Sequence, residues 1–195
     1  MGVSRKILIV RGHPDPQGGH FCDALVTAYR DGAETGGHRV RTVDIARLDL
    51  PYLRSDAEWK RPAPNEAIRA AQAEIARAEH LVFVYPLWLG DMPAMLKSFL
   101  EQISCDGFVL SSDEKGRWRQ GLAGKSARII VTMGMPALAY RWFYLAHSLR
   151  SFERNILKFA GVRPVRSTII GSIDRSQSYR QGWLKTIQEL GNTAS

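Results

Sequence analysis

The sequence predicts an α/β protein in which helices cover both faces of a parallel, five-stranded sheet. Three observations support this fold class. Short apolar runs alternate with longer segments of helical period, which is the pattern of consecutive strand–helix units. The run at residues 81–85, Leu-Val-Phe-Val-Tyr, is apolar throughout, as expected of a central strand buried on both faces. No hairpin signal joins neighbouring runs, so the strands are expected to be parallel.

Residues 1–195 are expected to form a single domain, because a chain of this length buries one core well and is short for two. The expected strand order is 2-1-3-4-5, which places the topological switch point between the first and third strands. Ligands of such sheets bind beyond the carboxyl ends of the strands at that point. The loops after the first, third and fourth strands should therefore meet at one site.

The first half of the chain supplies three strands and two helices. Glycines close the first helix, and Asn65 is a plausible N-cap for the second. In order, the elements are a strand at 6–10, a helix from 21 to the glycines at 36–37, a strand at 40–45, a long connection at 48–64, a helix at 65–78 and the strand at 81–85.

The second half supplies two more strands and three helices. An aromatic stripe on the second of these helices is expected to face the core. In order, the elements are a helix from Pro93 to about Ile103, an irregular polar segment at 106–125, a strand at 127–132, one long helix from about Tyr140 to Gly161, a strand at 165–171, and a last helix carrying Tyr179, Trp183, Ile187 and Leu190 that ends before Gly191.

Composition narrows the function classes. The net charge is +8, but Lys and Arg are scattered without a nucleic-acid-binding pattern, so no nucleic-acid partner is expected. The best basic cluster, Arg150, Arg154 and Lys158, is either a solvated helix face or a docking face for a partner or phosphate. Two distant cysteines, no bilayer-length apolar run and no signal peptide favour a cytoplasmic protein.

Several familiar motifs fail. Residues 124–126, Gly-Lys-Ser, imitate the end of a P-loop, but they precede a strand, and Arg119 stands where the first glycine belongs. The dinucleotide-binding glycine fingerprint and the hydrolase nucleophile elbow are both absent from the sequence. His13 and His20 lack metal-ligand spacing, so no metal is expected.

Two loops remain as candidate ligand sites. Gly18 and Gly19 allow a ligand close to the backbone, and the helix that follows offers free N–H groups to an anion. His20 could add a donor there, or it could simply cap a flexible surface loop. The loop at 86–90 presents Trp88 where a flat aromatic ligand would fit. One ligand with a phosphate tail and a flat ring would satisfy both loops.

The motifs behind these loops also carry a family resemblance. They run Gly12-His13-Pro14 … His20-Phe21 … Ala24-Leu25, then Tyr85-Pro86-Leu87-Trp88 … Pro93-Ala94 … Leu96-Lys97, then Thr132-Met133-Gly134 … Tyr140. This pattern resembles the flavodoxin-like NAD(P)H:quinone oxidoreductase family over nearly the whole chain. The resemblance implies a flavodoxin-like three-layer sandwich and a noncovalent flavin, FMN or alternatively FAD. It also implies NADPH or NADH as hydride donor, a quinone or similar acceptor reduced in a ping-pong cycle, and a homodimer with sites at the subunit interface.

The resemblance assigns residues to three parts of the flavin site and to catalysis. They are His13, Gly19, His20, Phe21 and Cys22 on the phosphate loop; Pro86, Leu87, Trp88 and Leu89 beside the isoalloxazine ring; Thr132, Met133, Gly134 and Met135 facing its pyrimidine side; and Tyr140, with His147 near its partner position, in proton handling.

The resemblance extends to flavoproteins that act as ancillary subunits of potassium-efflux systems. In that alternative a membrane transporter is the partner, and the basic cluster Arg150, Arg154 and Lys158 is a candidate docking face. An electron-shuttling flavodoxin fits poorly, since those proteins are typically acidic and this chain is basic. Quinone, nitro and azo compounds are all plausible acceptors for the enzyme.

Overall fold

The computed structural model describes residues 3–113 and 115–195. The strands are β1 (Lys6–Arg11), β2 (Arg39–Asp44), β3 (His80–Pro86), β4 (Leu110–Ser112), β5 (Trp118–Gln120), β6 (Ser126–Thr132) and β7 (Val165–Ile170). The helices are α1 (Phe21–Thr35), α2 (Asp56–Trp59), α3 (Glu66–Arg77), α4 (Ala94–Ile103), α5 (Ala137–Trp142), α6 (His147–Ser151) and α7 (Gln177–Asn192). Short 3-10 turns occupy Ile45–Arg47 and Cys105–Gly107, and a π-helix, Phe152–Lys158, continues α6.

The main sheet has five parallel strands in the order β2-β1-β3-β6-β7. Since β6 and β7 are its fourth and fifth strands along the chain, the predicted order 2-1-3-4-5 is confirmed. The order reverses between β1 and β3, and this switch point brings the loops after β1, β3 and β6 to one edge.

Alternating side chains divide the core into two layers, one on each face of the sheet. On one face, Leu81 and Phe83 of β3 pack with the buried sides of α3 and α4. On the other, Val82 and Val84 pack with α1 and α7. All of β3 is buried, as the apolar run predicted. The predicted coverage of both faces is confirmed.

Glycines allow α1 and α7 to pack with their backbones in direct contact. A Cβ on Gly32 would lie 1.9 Å from the carbonyl oxygen of Gln188, and one on Gly191 would lie 2.1 Å from that of Tyr29. No side chain fits at either position. Gly191 lies inside α7, which ends at Asn192, so the prediction that it follows the end of this helix was wrong. The glycine is required there by close packing of the two helices, and not by helix termination.

The segment 106–125 is not irregular throughout, as had been predicted. It contains β4 and β5, which form an antiparallel hairpin closed by a turn in which the Asp113 carboxylate accepts the N–H groups of Lys115 and Arg117. The hairpin escaped prediction because each strand has only three residues and β5 is exposed at all of them. Alternating burial, the usual strand signal, is therefore absent.

The single long helix predicted from Tyr140 to Gly161 is interrupted. Leu145 and Ala146 have positive φ angles of 54° and 47°, and the Ala146 N–H closes back on the carbonyl of Tyr140. This break turns part of the aromatic stripe outward, so Trp142 and Phe143 are 76% and 80% exposed. The prediction that the whole stripe faces the core was therefore wrong, although Tyr140 and Phe152 are buried as expected.

Within the described parts of the chain, no helix combines the length and the apolar character needed to cross a bilayer.

The glycine contact between α1 and α7 can be tested by a matched pair of substitutions. Gly32→Ala should lower the free energy of unfolding by about 1–3 kcal/mol, because its methyl group would overlap the Gln188 carbonyl. Gly182→Ala, also in a helix but with open space around it, should raise stability by up to about 1 kcal/mol through helix propensity. Urea denaturation measures both, and equal effects would contradict the packing argument.

Candidate functional site

The three loops predicted to converge do meet at the carboxyl edge of the sheet. The Gly12 N–H donates to the Val84 carbonyl at 2.7 Å, joining the loop after β1 to β3. The Leu87 N–H donates to the Thr132 carbonyl at 2.8 Å, joining the loop after β3 to β6. The Cys22 Sγ and Thr132 Oγ1 atoms lie 3.4 Å apart, which ties the start of α1 to the end of β6.

A buried arginine at the end of β1 organises this edge. Arg11 Nε lies 2.5 Å from the Asp23 carboxylate in the first turn of α1, and its Nη1 lies 2.9 Å from the Asp44 carboxylate at the end of β2. The same guanidinium donates to the carbonyls of His13 and Asp15. One side chain thus holds two strand ends, a loop and a helix start together.

The charges in this network stabilise one another. Burial alone would lower the pKa of Arg11, but hydrogen bonds to Asp23 and Asp44 outweigh it and raise the pKa. Burial would raise the pKa of Asp23, but the Arg11 side chain and the His20 N–H hold it below its usual value. Both groups are therefore charged at neutral pH.

Two imidazoles and an indole line the loop after β1. The rings of His13 and His20 stack with centroids 3.8 Å apart and an interplanar angle of 15°. Trp88 meets His13 edge-on at 5.7 Å. His20 Nε2 lies 2.8 Å from the Asp15 carboxylate, and burial, followed by the fields of His20 and Arg11, lowers the pKa of His13.

The loop after β3 presents an apolar tip. Trp88 and Asp91 exchange backbone hydrogen bonds at 2.8 and 2.9 Å, which forms a tight turn with positive φ at Leu89 and Gly90. Trp88 is half exposed and Leu89 fully exposed at this tip. The rigid turn therefore projects a large aromatic surface beside the histidine stack.

The loop after β6 is fixed at both ends and open in the middle. Met133 donates its N–H to Ile170 and accepts one from Ile173, and Met135 accepts one from Ser172. Within residues 3–113 and 115–195, the N–H groups of Gly134 and Met135 form no hydrogen bond, although the Asp174 carboxylate lies 3.3 Å from a Cβ built on Gly134. Two donors at this edge are thus available to a ligand.

The side chains of Tyr140 and His147, predicted as a pair, form no hydrogen bond to each other. The Tyr140 side chain is buried, with its hydroxyl 2.7 Å from Ser148 Oγ and accepting the Leu149 N–H at 3.2 Å. His147 is exposed, and its Nδ1 lies 3.0 Å from the Tyr144 carbonyl. Catalytic roles for both residues stay predictions.

Not every surface cavity of the protein belongs to the candidate site. A groove of about 470 Å³ runs beside the loop after β3, from Trp88 and Lys97 to Ser148 and Ile156. A larger hollow, of about 1260 Å³, lies at the hairpin of β4 and β5 and contacts none of the predicted site residues. Convergent polar groups, and not size, therefore identify the candidate site.

Comparison with known proteins assigns the chain to a family. The family model described as "Flavodoxin-like fold" matches residues 5–191. The chain belongs to this flavodoxin-like family. The family resemblance predicted from the motifs is thereby confirmed.

This flavodoxin-like chain is similar to several named proteins. It is 26% identical to "Ribosyldihydronicotinamide dehydrogenase [quinone]" of Homo sapiens over 96% of this chain and 93% of that protein. It is 27% identical to "FMN-dependent NADH:quinone oxidoreductase" of Nitratidesulfovibrio vulgaris over 89% of this chain and 92% of that protein. The structure of Smu.1420 from Streptococcus mutans superposes with a TM-score of 0.82 at 27% identity, covering 96% of this chain and 98% of that one.

The loop between β1 and α1 in this flavodoxin-like chain offers backbone donors of the kind that bind a phosphate. Within the described ranges, the N–H groups of Gly19, Phe21 and Cys22 have no acceptor in hydrogen-bonding range. Gly18 and Gly19 have positive φ angles of 75° and 82°, and a Cβ built on Gly19 would meet nothing within 4 Å. The cradle is open, and an FMN phosphate fits its chemistry. Burial raises the pKa of Cys22 to about 11, so this residue is a neutral thiol.

Sequence reasoning missed the charged part of this site. Arg11, Asp15, Asp23 and Asp44 were not singled out, although they fix the geometry of the phosphate loop. The signal available was weak: an arginine at the end of an otherwise apolar strand, with an aspartate in the next helix. Neither spacing nor motif identified its partners.

The Arg11–Asp23 pair predicts a pH dependence of stability. The pKa of Asp23 is depressed in the folded state, so its contribution is present above the unfolded pKa of about 4 and is lost as pH falls through the folded value. Asp23→Asn should therefore destabilise the protein at pH 7, and the gap from wild type should narrow below about pH 4. Urea unfolding at a series of pH values measures the gap.

A control for this prediction lies on the same helix. Asp31 is exposed and 3.7 Å from Arg30, so Asp31→Asn should change stability little at any pH. A gap between wild type and Asp23→Asn that stays constant from pH 7 to pH 3 would show that the ion pair is not its cause.

Proposed function

We propose that this protein is an FMN-dependent NAD(P)H oxidoreductase that reduces quinones or similar electrophiles by two electrons. The observation that carries the proposal is the meeting of an open anion cradle with an exposed indole at the switch point of a flavodoxin-like sheet. The names of the similar human and bacterial proteins support the reaction class.

The phosphate end of FMN would bind at the loop after β1. Free N–H groups at the start of α1 would donate to the phosphate, and the positive end of the helix dipole would favour its charge. Asp23 lies in the same turn and would repel an anion, but Arg11 neutralises it. His20, held by Asp15, would add a side-chain donor to the phosphate.

The ring end would lie between the loops after β3 and β6. Trp88 would cover one face of the ring and exclude water from it. The free N–H groups of Gly134 and Met135 would donate to the pyrimidine edge, where negative charge develops on reduction. Bound FMN would supply the redox chemistry, taking a hydride from NAD(P)H and passing two electrons to the acceptor after NAD(P)⁺ has left.

A homodimer would cover the exposed aromatic surface, which comprises Leu138, Trp142, Phe143 and Leu145. These side chains are 57–80% exposed, and contiguous apolar surface of this kind marks interaction sites. The surface belongs to the same segment as Ser148, which lines the groove beside Trp88 and contacts the Tyr140 hydroxyl. We propose that a second copy completes the acceptor site there, and that the protein works in the cytoplasm.

The alternative function, an ancillary subunit of a potassium-efflux transporter, relies on the basic cluster Arg150, Arg154 and Lys158. These residues do not lie on one regular helix, because the chain changes from α6 to the π-helix after Ser151. Lys158 also lies 3.6 Å from the Glu153 carboxylate, which compensates part of the charge. The oxidoreductase proposal therefore has the more direct support.

The proposal predicts a yellow protein whose colour responds to nicotinamide. Purified protein incubated with FMN and desalted should retain the flavin absorption bands, and anaerobic NADH or NADPH should bleach them. Adding a quinone should then restore them without the nicotinamide present, as a ping-pong cycle requires. A colourless protein after reconstitution would contradict the proposal.

Two glycines provide a matched test of the cradle. Gly19 and Gly37 both have φ near 80° and open space around a built Cβ, so an alanine strains both backbones alike. Gly19→Ala would also place a methyl group in the cradle and should weaken FMN binding at least about tenfold. Gly37→Ala should leave the affinity unchanged in a fluorescence titration. Equal FMN affinities in the two variants would show that the phosphate does not bind in this loop.

Tyr140→Phe separates chemistry from positioning. If the phenol assists hydride transfer, kcat should fall by about tenfold or more while FMN stays bound. Ser148→Ala removes the hydroxyl that Tyr140 contacts and would lower kcat only if that contact orients the phenol. Tyr144→Phe, at a half-exposed tyrosine nearby, serves as control. Unchanged kinetics in Tyr140→Phe would remove the proposed role.

A further inference from the structure

The amino edge of the sheet, opposite the proposed flavin site, carries an unusual polar face. His80, Ser126 and Arg166 lie at the amino ends of β3, β6 and β7, and Arg128 is the third residue of β6. By the alternation of strands they share the face of Val82, Ile130 and Ile170, which packs on α1 and α7. At the amino edge, polar side chains thus occupy positions that hold apolar core residues elsewhere in this layer.

A cavity of about 650 Å³ opens at this edge. Its lining includes Arg5, Arg163, Arg166, His80 and Ser126. The one acidic side chain in the lining is Glu79, which already accepts the Lys6 N–H at 2.8 Å. The lining therefore carries three guanidinium groups against one carboxylate.

In the described part of the chain, the arginines around the cavity lack acidic side chains as ion-pair partners. Among residues 3–113 and 115–195, no acidic side chain forms an ion pair with Arg5, Arg128, Arg163 or Arg166. Arg128 and Arg166 are direct partners on neighbouring strands, an arrangement in which like charges repel. Arg128 is only 6% exposed, and its guanidinium donates to a Ser195 oxygen and to Thr168 Oγ1.

A buried imidazole in the lining has an unused nitrogen. His80 is 2% exposed, its Nδ1 lies 2.8 Å from Ser126 Oγ, and its Nε2 has no hydrogen-bond partner among the described residues. The Ser126 hydroxyl also donates to the Glu79 carbonyl at 3.5 Å, so Nδ1–H donates to Ser126 and Nε2 is left as an unpaired acceptor. The Tyr29 hydroxyl is buried without a partner as well, and its ring stacks on His80 with centroids 6.4 Å apart.

Capping of α7 explains only part of this cluster. Arg5 donates to the Ala194 carbonyl at 3.2 Å, Arg128 donates to the Ser195 carbonyl, and His38 Nε2 lies 3.2 Å from the Asn192 carbonyl. Cations near the last carbonyls of a helix are favourable for that reason alone. The capping leaves the side chains of Arg163 and Arg166 and the His80 Nε2 atom unassigned.

We propose that this cavity binds a phosphate group, held by the guanidinium groups of Arg5 and Arg166, with His80 in the same lining. A phosphate places negative charge beside Arg163 and Arg166, which have no acidic side-chain partner among the described residues, and its oxygens match the planar donors of arginine. The volume also admits a phosphate ester of nucleotide size. The site is separate from the flavin edge and does not depend on the proposed function.

Imidazole NMR of the full chain tests the proposal directly. The five histidines give separate reporters, of which His13 and His20 lie at the flavin edge and His80 in the cavity. With excess FMN present to fill the phosphate loop, inorganic phosphate should shift the His80 signals in a saturable manner. The signals of His13 and His20 should not follow the same curve. A His80 signal that does not saturate overturns the proposal.

Variants and a second probe complete the test. Arg166→Ala, at an exposed rim residue, should weaken phosphate binding about tenfold, while Arg41→Ala, at an exposed position on β2, should not. Equal binding by both variants, or the same response to chloride, would overturn the site. AMP distinguishes the sources: tighter binding than inorganic phosphate supports a phosphate ester as ligand, and equal binding supports free phosphate.

Discussion

The buried guanidinium of Arg11 is the interaction on which the candidate site depends. It joins the ends of β1 and β2 to the first turn of α1, and it also holds the carbonyls of the loop between β1 and α1. Without it, the Asp23 carboxylate would place an uncompensated negative charge at the helix start that is proposed to receive a phosphate. The arginine therefore fixes the shape of the cradle and keeps its potential favourable to an anion.

The position of α1 is constrained from behind as well. Gly32 and Gly191 bring α1 and α7 into backbone contact, which leaves no room for α1 to shift towards α7. Cys22, in the first turn, is tied to Thr132 of β6. Because interiors are close-packed, these contacts hold the free N–H groups of α1 at the sheet edge before any ligand arrives. Preorganisation of this kind reduces the cost of binding.

The parts of the fold that could be predicted from sequence are those that local burial encodes. Six of the seven residues of β3 are apolar, and Leu87 and Trp88 follow its last residue, Pro86. The sequence therefore predicted the strand, the sheet edge at which it ends and the aromatic loop beyond it. The Arg11 network was not, because Asp23 and Asp44 lie 12 and 33 residues away and meet it only in the folded chain. The break at Leu145 and Ala146 was hidden for a different reason: the apolar period continues through it, although the backbone does not.

The two ligand sites inferred for this protein lie at opposite ends of one layer, the layer between the sheet and the α1–α7 pair. Cys22 of α1 contacts the flavin edge, and Tyr29 of the same helix stacks on His80 at the amino edge. A signal between them would have to move α1 as a rigid body. The contact of Gly32 with Gln188 opposes such a movement, since packed backbones have no slack to absorb it. Coupling between sites requires an element that can adopt two discrete arrangements. The contacts of α1 hold it in a single arrangement. The cavity at the amino edge is therefore better understood as an independent binding site than as a regulator of the flavin chemistry.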